Sequence, residues 1–296
     1  MSLVVQKGLC LSHIDVTAAY QNSPLIALVY MLQPWYWEGD GEDLVCLLKR
    51  SIYRLHQAGK YWYEYLLGIL KKLGLKQCLS EPCVFVREMV DRGIYVDNLV
   101  LVGNDQEISK FTTHLDSEIK IKDMGEVSHL LGLEICRHSS VKITICQTIY
   151  IFKMLQEFNM MEEKVSSTPC MPGDTLDDQV GDSSFDQDIY SKAIGCLLYI
   201  ATCTRPDIRF AVGKLSKFCN DPSQGNWKNS KRVMRYLKYT SDLKLTYSGL
   251  EIGVEVLCYA DWANDKNDGK SIEGYVVIMG GGTVCWKSKK QQLVAT

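Results

Sequence analysis

Apolar residues recur at helical spacing over 61–73, where Trp62, Tyr65, Leu66, Ile69, Leu70 and Leu73 share one face and Gly74 stands where a helix would end. The same spacing predicts helices over 107–119, through Ile108, Phe111 and Leu115, and over 149–160, through Tyr150, Ile151, Met154, Leu155 and Phe158. Short apolar runs predict strands at 9–16, ending near Asp15, at 28–33 before Pro34, at 95–102 and at 142–146. Between the first two, 17–24 reads as a short helical turn stopped by Pro24. This order fits an α/β (α+β) class containing a split βαβ arrangement.

The pattern lapses over 166–187, which is rich in Ser, Asp, Gly and Pro, so a linker and a domain boundary belong there. Helical spacing resumes over 189–203, 207–218 and 226–240. Strand patterns at 274–279 and 283–286, joined by the turn 280–282, close the chain.

With 46% hydrophobic and 23% charged residues, 296 residues can bury the core of one large or two modest domains. No apolar run is long enough to span a membrane and the N-terminus lacks a secretory pattern, so an intracellular location, cytoplasm or nucleus, is expected without membrane partners. Twelve cysteines without a C-x-x-C pair argue against zinc or thioredoxin-type motifs and predict free, mostly buried thiols. The five histidines fall outside metal-ligand spacing. A net charge of -2 leaves only a local basic surface to hold nucleic acid.

The sharpest local feature is Tyr95-Val96-Asp97-Asn98 followed by LVLVG, a carboxylate between two apolar segments. Read alone, it is also what the polar tip of a hairpin shows. Its meaning changes beside SHIDVTAAYQNS around Asp15, then VYMLQP, LLKRSIYRLHQAGKYWYEYL, EPCVFVRE, YVDNLVLVGND and KDMGEVSHLLGLEI. The later half adds VSSTPCMP, YSKAIGCLLYIATCTRPDI, NWKNSKRVMRYLKYT and ADWANDKNDGKSIEGYVVIMGGGTVCWKSKKQ. In order, these blocks resemble the reverse transcriptase region and the start of the RNase H region of copia-like LTR retrotransposon Pol polyproteins, over nearly the whole chain.

That resemblance implies a reverse-transcriptase palm-like split βαβ domain over 1–165, a linker at 166–188, a helical thumb or connection region over 189–247 and a truncated RNase H-like segment with an incomplete sheet over 248–296. It implies RNA-directed DNA polymerisation on an RNA template, with an RNA–DNA hybrid or DNA primer, beside the rest of a Pol polyprotein. Nucleotidyl transfer of this kind uses two divalent ions, Mg²⁺ or Mn²⁺, about 4 Å apart and held by aspartates. By resemblance Asp15 and Asp97 fill the first two positions, and Asn98 stands at the third, where a neutral amide removes one negative charge. Tyr20 matches the aromatic that screens out a ribose 2′-hydroxyl, although core packing would equally explain it. Gln57 matches the glutamine that places template and nucleotide, but Arg54, His56 and Gly59 replace the family's Gly, Lys and Pro around it.

The family also carries a fingers region ahead of the Asp15 block, which this chain begins just short of, and a longer apolar strand where only Arg92-Gly93-Ile94 precedes Tyr95. An impaired polymerase is therefore expected. At the RNase H end, LCYADWAND puts Tyr259 where the first catalytic aspartate belongs, with Asp261 two residues on, and the chain stops before the family's next acidic block. A phenol with a usual pKa of about 10 is no metal ligand at neutral pH, so RNase H activity is not expected. The incomplete sheet should leave an unpaired edge.

On 226–240, Lys228, Lys231, Arg232, Arg235 and Lys238 gather opposite Trp227, Val233, Met234 and Leu237. Such a stripe can meet phosphates, and it is equally what a solvated helix face shows. The second functional reading is accordingly a non-catalytic nucleic-acid-binding module or a decayed transposon remnant.

Overall fold

A computed structural model describes residues 1–33, 44–86, 94–95, 99–171, 183–249, 253–262 and 269–293. The class is mixed α and β with small sheets, and every described strand pairing is antiparallel. The chain divides into two compact units, Leu9–Val127 and a second made of Met1–Gly8 with Ser128–Thr296. The compositional linker around 166–188 falls inside the second unit, and 172–182 of it lie outside the described residues.

Helix α1 (Ser2–Gln6) opens the chain. In the Leu9–Val127 unit, β1 (Cys10–Val16), α2 (Ala19–Asn22), β2 (Pro24–Leu32), β3 (Val45–Arg50) and α3 (Ala58–Lys72) are followed by the short strands β4 (Lys76–Gln77), β5 (Phe85–Val86) and β6 (Ile94–Tyr95). Then come β7 (Leu99–Gly103), α4 (Asp105–Glu118) and β8 (Ile121–Glu126). The main sheet runs β4-β5-β6-β7-β1-β8, while β2 and β3 form a separate hairpin.

Helix α3 buries Trp62, Leu66, Ile69 and Leu70 against Ile14, Phe85, Leu99 and Leu101 of the sheet. It stops as expected. Gly74 takes φ +81, its N–H donates to Lys71 O, and Leu75 N–H donates to Leu70 O, so two end carbonyls are satisfied by a turn that favours glycine. Asn104 caps α4 by accepting the Glu107 N–H at 3.1 Å. The β2–β3 hairpin leaves Ile26, Leu28, Tyr30 and Leu32 exposed on alternate positions.

The second unit continues with β9 (His129–Leu130), β10 (Leu133–Ser139), β11 (Lys142–Cys146), α5 (Thr148–Glu157), α6 (Gln187–Cys203), α7 (Arg209–Leu215) and α8 (Gln224–Tyr239). Strands β12 (Leu245–Ser248), β13 (Glu255–Ala260), β14 (Ile272–Met279) and β15 (Gly282–Lys290) complete it. One sheet runs β12-β11-β10-β9 and another β13-β14-β15. Helices α5 to α8 enclose a core that includes Leu155, Tyr190, Leu197, Val212, Val233 and Leu237. A continuous helix over 207–218 is not what forms. Two 3-10 turns, Pro206–Ile208 and Ser216–Phe218, flank a shorter α7. Pro206 starts the first of them, a position where its missing N–H does no harm.

The expected turn at 280–282 connects β14 to β15. Gly280 sits at φ +62, and a Cβ there would come within 2.6 Å of Ser2 Oγ, so only glycine lets α1 lie against this turn. Ser2 Oγ donates to Met279 O at 2.9 Å. The expectation of mostly buried thiols is corrected: all twelve cysteines are free, but only Cys146 is buried, and Cys10, Cys136, Cys258 and Cys285 are exposed. Exposed positions on strands account for these four.

Candidate active site and nucleic-acid surfaces

Strand β1 lies inside the main sheet, between β7 and β8. Along it Leu11 and Ile14 are buried and Asp15 is exposed. Ile14 is paired with Leu99 of β7 and with Asp123 of β8, and Asp15 stands opposite Lys122. Lys122 was not singled out from sequence, because a lysine in a polar run carries no signal until the register sets it across from a carboxylate. Asp97 and Asn98 lie outside the described residues.

Beyond Asp15 the chain turns sharply through Ala18, whose φ of 51 is in the left-handed region that a non-glycine residue adopts only under constraint. Asn22 Nδ2 pins this turn by donating to Thr17 O at 3.0 Å and Ala18 O at 3.2 Å. Tyr20 is half-buried and packs against the core of the unit, with its ring edge-on to Tyr53 at 4.8 Å. The packing role of Tyr20 is thus observed directly. That contact joins the Asp15 turn to the segment before α3, and Ser51 N–H donating to Ser23 O at 3.1 Å and Arg50 Nη1 to Gln21 O at 3.2 Å reinforce it.

Gln57 is the residue before α3. Its carbonyl accepts Tyr61 N–H, but its half-buried side chain makes no capping hydrogen bond. Arg54, at the place of the family's glycine, adopts φ 70. A left-handed conformation costs an L-residue about 1–2 kcal/mol. Arg54→Gly is therefore expected to leave stability unchanged or raise it by up to about 1 kcal/mol despite glycine's greater chain entropy. Urea denaturation would show this, and a loss above about 1 kcal/mol would contradict it.

In the β13–β15 sheet, Tyr259 is 73% exposed on the outer strand β13, directly opposite Gly274. The Asp261 carboxylate is engaged: Oδ1 accepts Ile272 N–H at 2.7 Å, while Asp261 N–H donates to Ile272 O. It fastens β13 to the start of β14. Among the described residues no group of three or more His, Cys, Asp or Glu converges as a metal site.

Helix α8 is capped by Ser223 and Asn226, each accepting from the other's backbone N–H. Its basic face is partly covered. Arg232 Nη2 donates to Thr168 Oγ1 at 2.8 Å, Arg235 lies 3.8 Å from the Glu163 carboxylate, and Lys238 donates to the carbonyls of Met161 and Glu163. Lys228 and Lys231 take no part in these contacts. Three of the five expected phosphate contacts thus serve to hold 161–168 on the helix.

Sequence reasoning also missed a network within the TRPD string. Arg205 is buried, with its guanidinium paired to Asp207 through Nε and Nη2 at 2.9 and 2.7 Å and donating to Thr240 O at 2.9 Å. Tyr236 donates its hydroxyl to Asp207 at 2.8 Å, and its ring lies 5.4 Å from the Arg205 Cζ. Burial pushes the Asp207 carboxyl up, but the Arg205 guanidinium and the Tyr236 hydroxyl together hold it below its usual range.

The family model described as reverse transcriptase (RNA-dependent DNA polymerase) matches residues 1–172. The whole chain aligns at 32% identity with the retrovirus-related Pol polyprotein from transposon TNT 1-94 of Nicotiana tabacum, covering 23% of that protein. The Pol polyprotein from transposon RE1 of Arabidopsis thaliana is 31% identical over 99% of this chain, which covers 20% of it. A putative transposon Ty5-1 protein of Saccharomyces cerevisiae is 31% identical, with 93% of this chain and 92% of that protein aligned. The chain thus spans about a fifth of the two Pol polyproteins and nearly all of the yeast protein. On this evidence it belongs to the reverse transcriptase family, as a segment of copia-like retrotransposon Pol polyproteins.

Proposed function

We propose that the Leu9–Val127 unit is a palm-like domain for RNA-directed DNA synthesis, with Asp15 and Asp97 as its metal-binding carboxylates. The observation that carries this reading is the pairing of Ile14 with Leu99, which sets the exposed Asp15 one residue from a fixed neighbour of the Asp97 segment. Asp97 precedes Leu99 by two residues in sequence. Exposed carboxylate oxygens suit Mg²⁺ or Mn²⁺, which when bound would activate the primer hydroxyl and neutralise the departing pyrophosphate. The chain's own part is positional. The pinned turn through Ala18 and the Tyr20–Tyr53 contact hold the edge of the site, where Tyr20 would lie beside the incoming sugar and Gln57 beside the template.

In the same proposal, 1–165 is the polymerase part, 166–188 a linker, 189–247 a helical connection and 248–296 a partial RNase H-like sheet without its activity. Tyr259 offers no carboxylate, and Asp261 is held by the Ile272 backbone. The neutral amide of Asn98 slows synthesis. A second reading, a non-catalytic nucleic-acid-binding module or decayed remnant, is favoured by Asn98 and Tyr259 together. Template, primer and the remaining Pol segments are the proposed partners, and the location is intracellular, in cytoplasm or nucleus.

Primer extension on an RNA template, with the purified chain in Mg²⁺ or Mn²⁺, decides between the readings. Template-dependent products that vanish in Asp97→Ala support the polymerase. No product at micromolar enzyme with either ion leaves the binding module.

A further inference from the structure

Strands β2 and β3 pair Val29 with Leu48, Tyr30 with Leu47, Met31 with Cys46 and Leu32 with Val45, and partners across a ladder share a face. Val29, Met31, Cys46 and Leu48 are half-buried and make the inner face of the hairpin. Tyr30, Leu32, Val45 and Leu47 make the outer one, which Ile26 and Leu28 extend at alternate positions along β2. All six are between 47 and 81% exposed. A hairpin with one solvated face alternates apolar with polar residues, whereas a strand covered on both faces reads as an unbroken apolar run. Both strands are of the second kind, with LIALVYML in β2 and VCLL in β3.

The outer face has the size and chemistry of a surface that meets its own copy. At roughly 150 Å² per large side chain, its six residues expose about 600 Å². That is at the top of what a monomer leaves bare, and two such faces together bury about 1,200 Å², the lower end for a specific interface. None of the six carries a charge, so an identical patch can oppose them without repulsion. A different protein is ordinarily selected by complementary charge, which these residues do not offer. Lys49 follows near the end of β3, and a two-fold axis through the patch sends its two copies to opposite rims. A net charge of -2 adds little repulsion between whole chains.

We propose that the chain forms a two-fold symmetric dimer in which the outer faces of two β2–β3 hairpins pack on each other, with Tyr30, Leu32 and Leu47 at the centre. A two-stranded sheet is marginal by itself, and a second one laid face to face at about 10 Å supplies the layer that each lacks. At its open end the hairpin is tied to the turn after Asp15 by the Ser51 N–H to Ser23 O and Arg50 Nη1 to Gln21 O hydrogen bonds, so the dimer braces that turn in both copies. Dimerisation needs neither metal ion nor template, and so stands or falls apart from the polymerase reading.

The test is sedimentation velocity of the full chain over about 0.5–50 µM, without divalent ions, nucleotide or nucleic acid. The mass should rise from the 33.6 kDa of one chain to that of two, with a midpoint of about 1–10 µM for an interface of this size. Leu32→Glu with Leu47→Glu should weaken association at least about a hundredfold, because like charges then face each other across the axis. Leu32→Lys with Leu47→Lys should do the same, and an equimolar mixture of the two variants should recover a dimer, as a contact between identical faces requires. Leu257→Glu, at an exposed apolar position on β13, should change nothing. Thermal melting of each variant separates lost association from unfolding. A monomer throughout, association indifferent to the Leu32 and Leu47 changes, no recovery on mixing, an equal loss in Leu257→Glu, or growth beyond two copies would overturn the proposal.

Discussion

Replacing Asn98 with aspartate is expected to raise primer extension by about a hundredfold or more, on the proposed polymerase reading. Electrostatic groups aimed at a reacting centre are each worth on the order of 10²–10³ in rate. An amide oxygen beside two divalent ions lacks one full negative charge, and the missing attraction is strongest in a site that excludes water. Single-nucleotide incorporation in Mg²⁺ and in Mn²⁺ measures the effect, and the gain should fall mainly on kcat. The companion variant is Asp15→Ala with Asn98→Asp, which should lose the gain entirely. A gain below about threefold, or one that survives without Asp15, would show that Asn98 is not what limits synthesis.

Arg205→Met is expected to destabilise the second unit by about 3 kcal/mol. Breaking a buried ion pair by removing one partner costs about 3–5 kcal/mol, and the lower end applies because the Asp207 side chain is 31% exposed. The guanidinium joins the end of α6 to the C-cap carbonyl of α8 at Thr240, so the loss reaches both helices. Because the native Asp207 carboxyl is held below its usual range, this network contributes fully at neutral pH. Its contribution declines as pH falls through the ordinary carboxylate range towards the lower native value. Wild type should therefore lose more stability on acidification than Arg205→Met does. Urea titrations at several pH values would measure this, and equal acid sensitivity of the two proteins would count against the assignment. Arg205→Met with Asp207→Leu should lose less than the sum of the single changes.

How far the fold was legible depends on how much each element buries. Helix α3 could be read to within a few residues because Trp62, Leu66, Ile69 and Leu70 are a repeating buried stripe, and Gly74 marks its end chemically. Strand β8 could not be read, because it exposes nearly every residue of IKDMGE and has no alternation to detect. Strand β13 escaped for the same reason, being exposed along its whole length on the outside of its sheet. Binding surfaces were the least legible. The stripe on α8 was correctly periodic, yet periodicity says nothing about 161–168 lying over it. A cleft at α7 is lined by residues as far apart in sequence as Arg209, Lys214, Ser288, Lys289 and Lys290, a combination that only the tertiary fold brings together.

The hydrogen bond from Ser2 to Met279 has a consequence for biosynthesis. Its partners are 277 residues apart, so at about 5–20 residues per second α1 waits roughly 15–55 s for the turn on which it rests. Within that interval Leu9–Val127 is completed once residue 127 is made, while the unit enclosing it in sequence still lacks most of its residues. The order of assembly on the ribosome is thus inner unit first, with the first helix among the last pieces to settle.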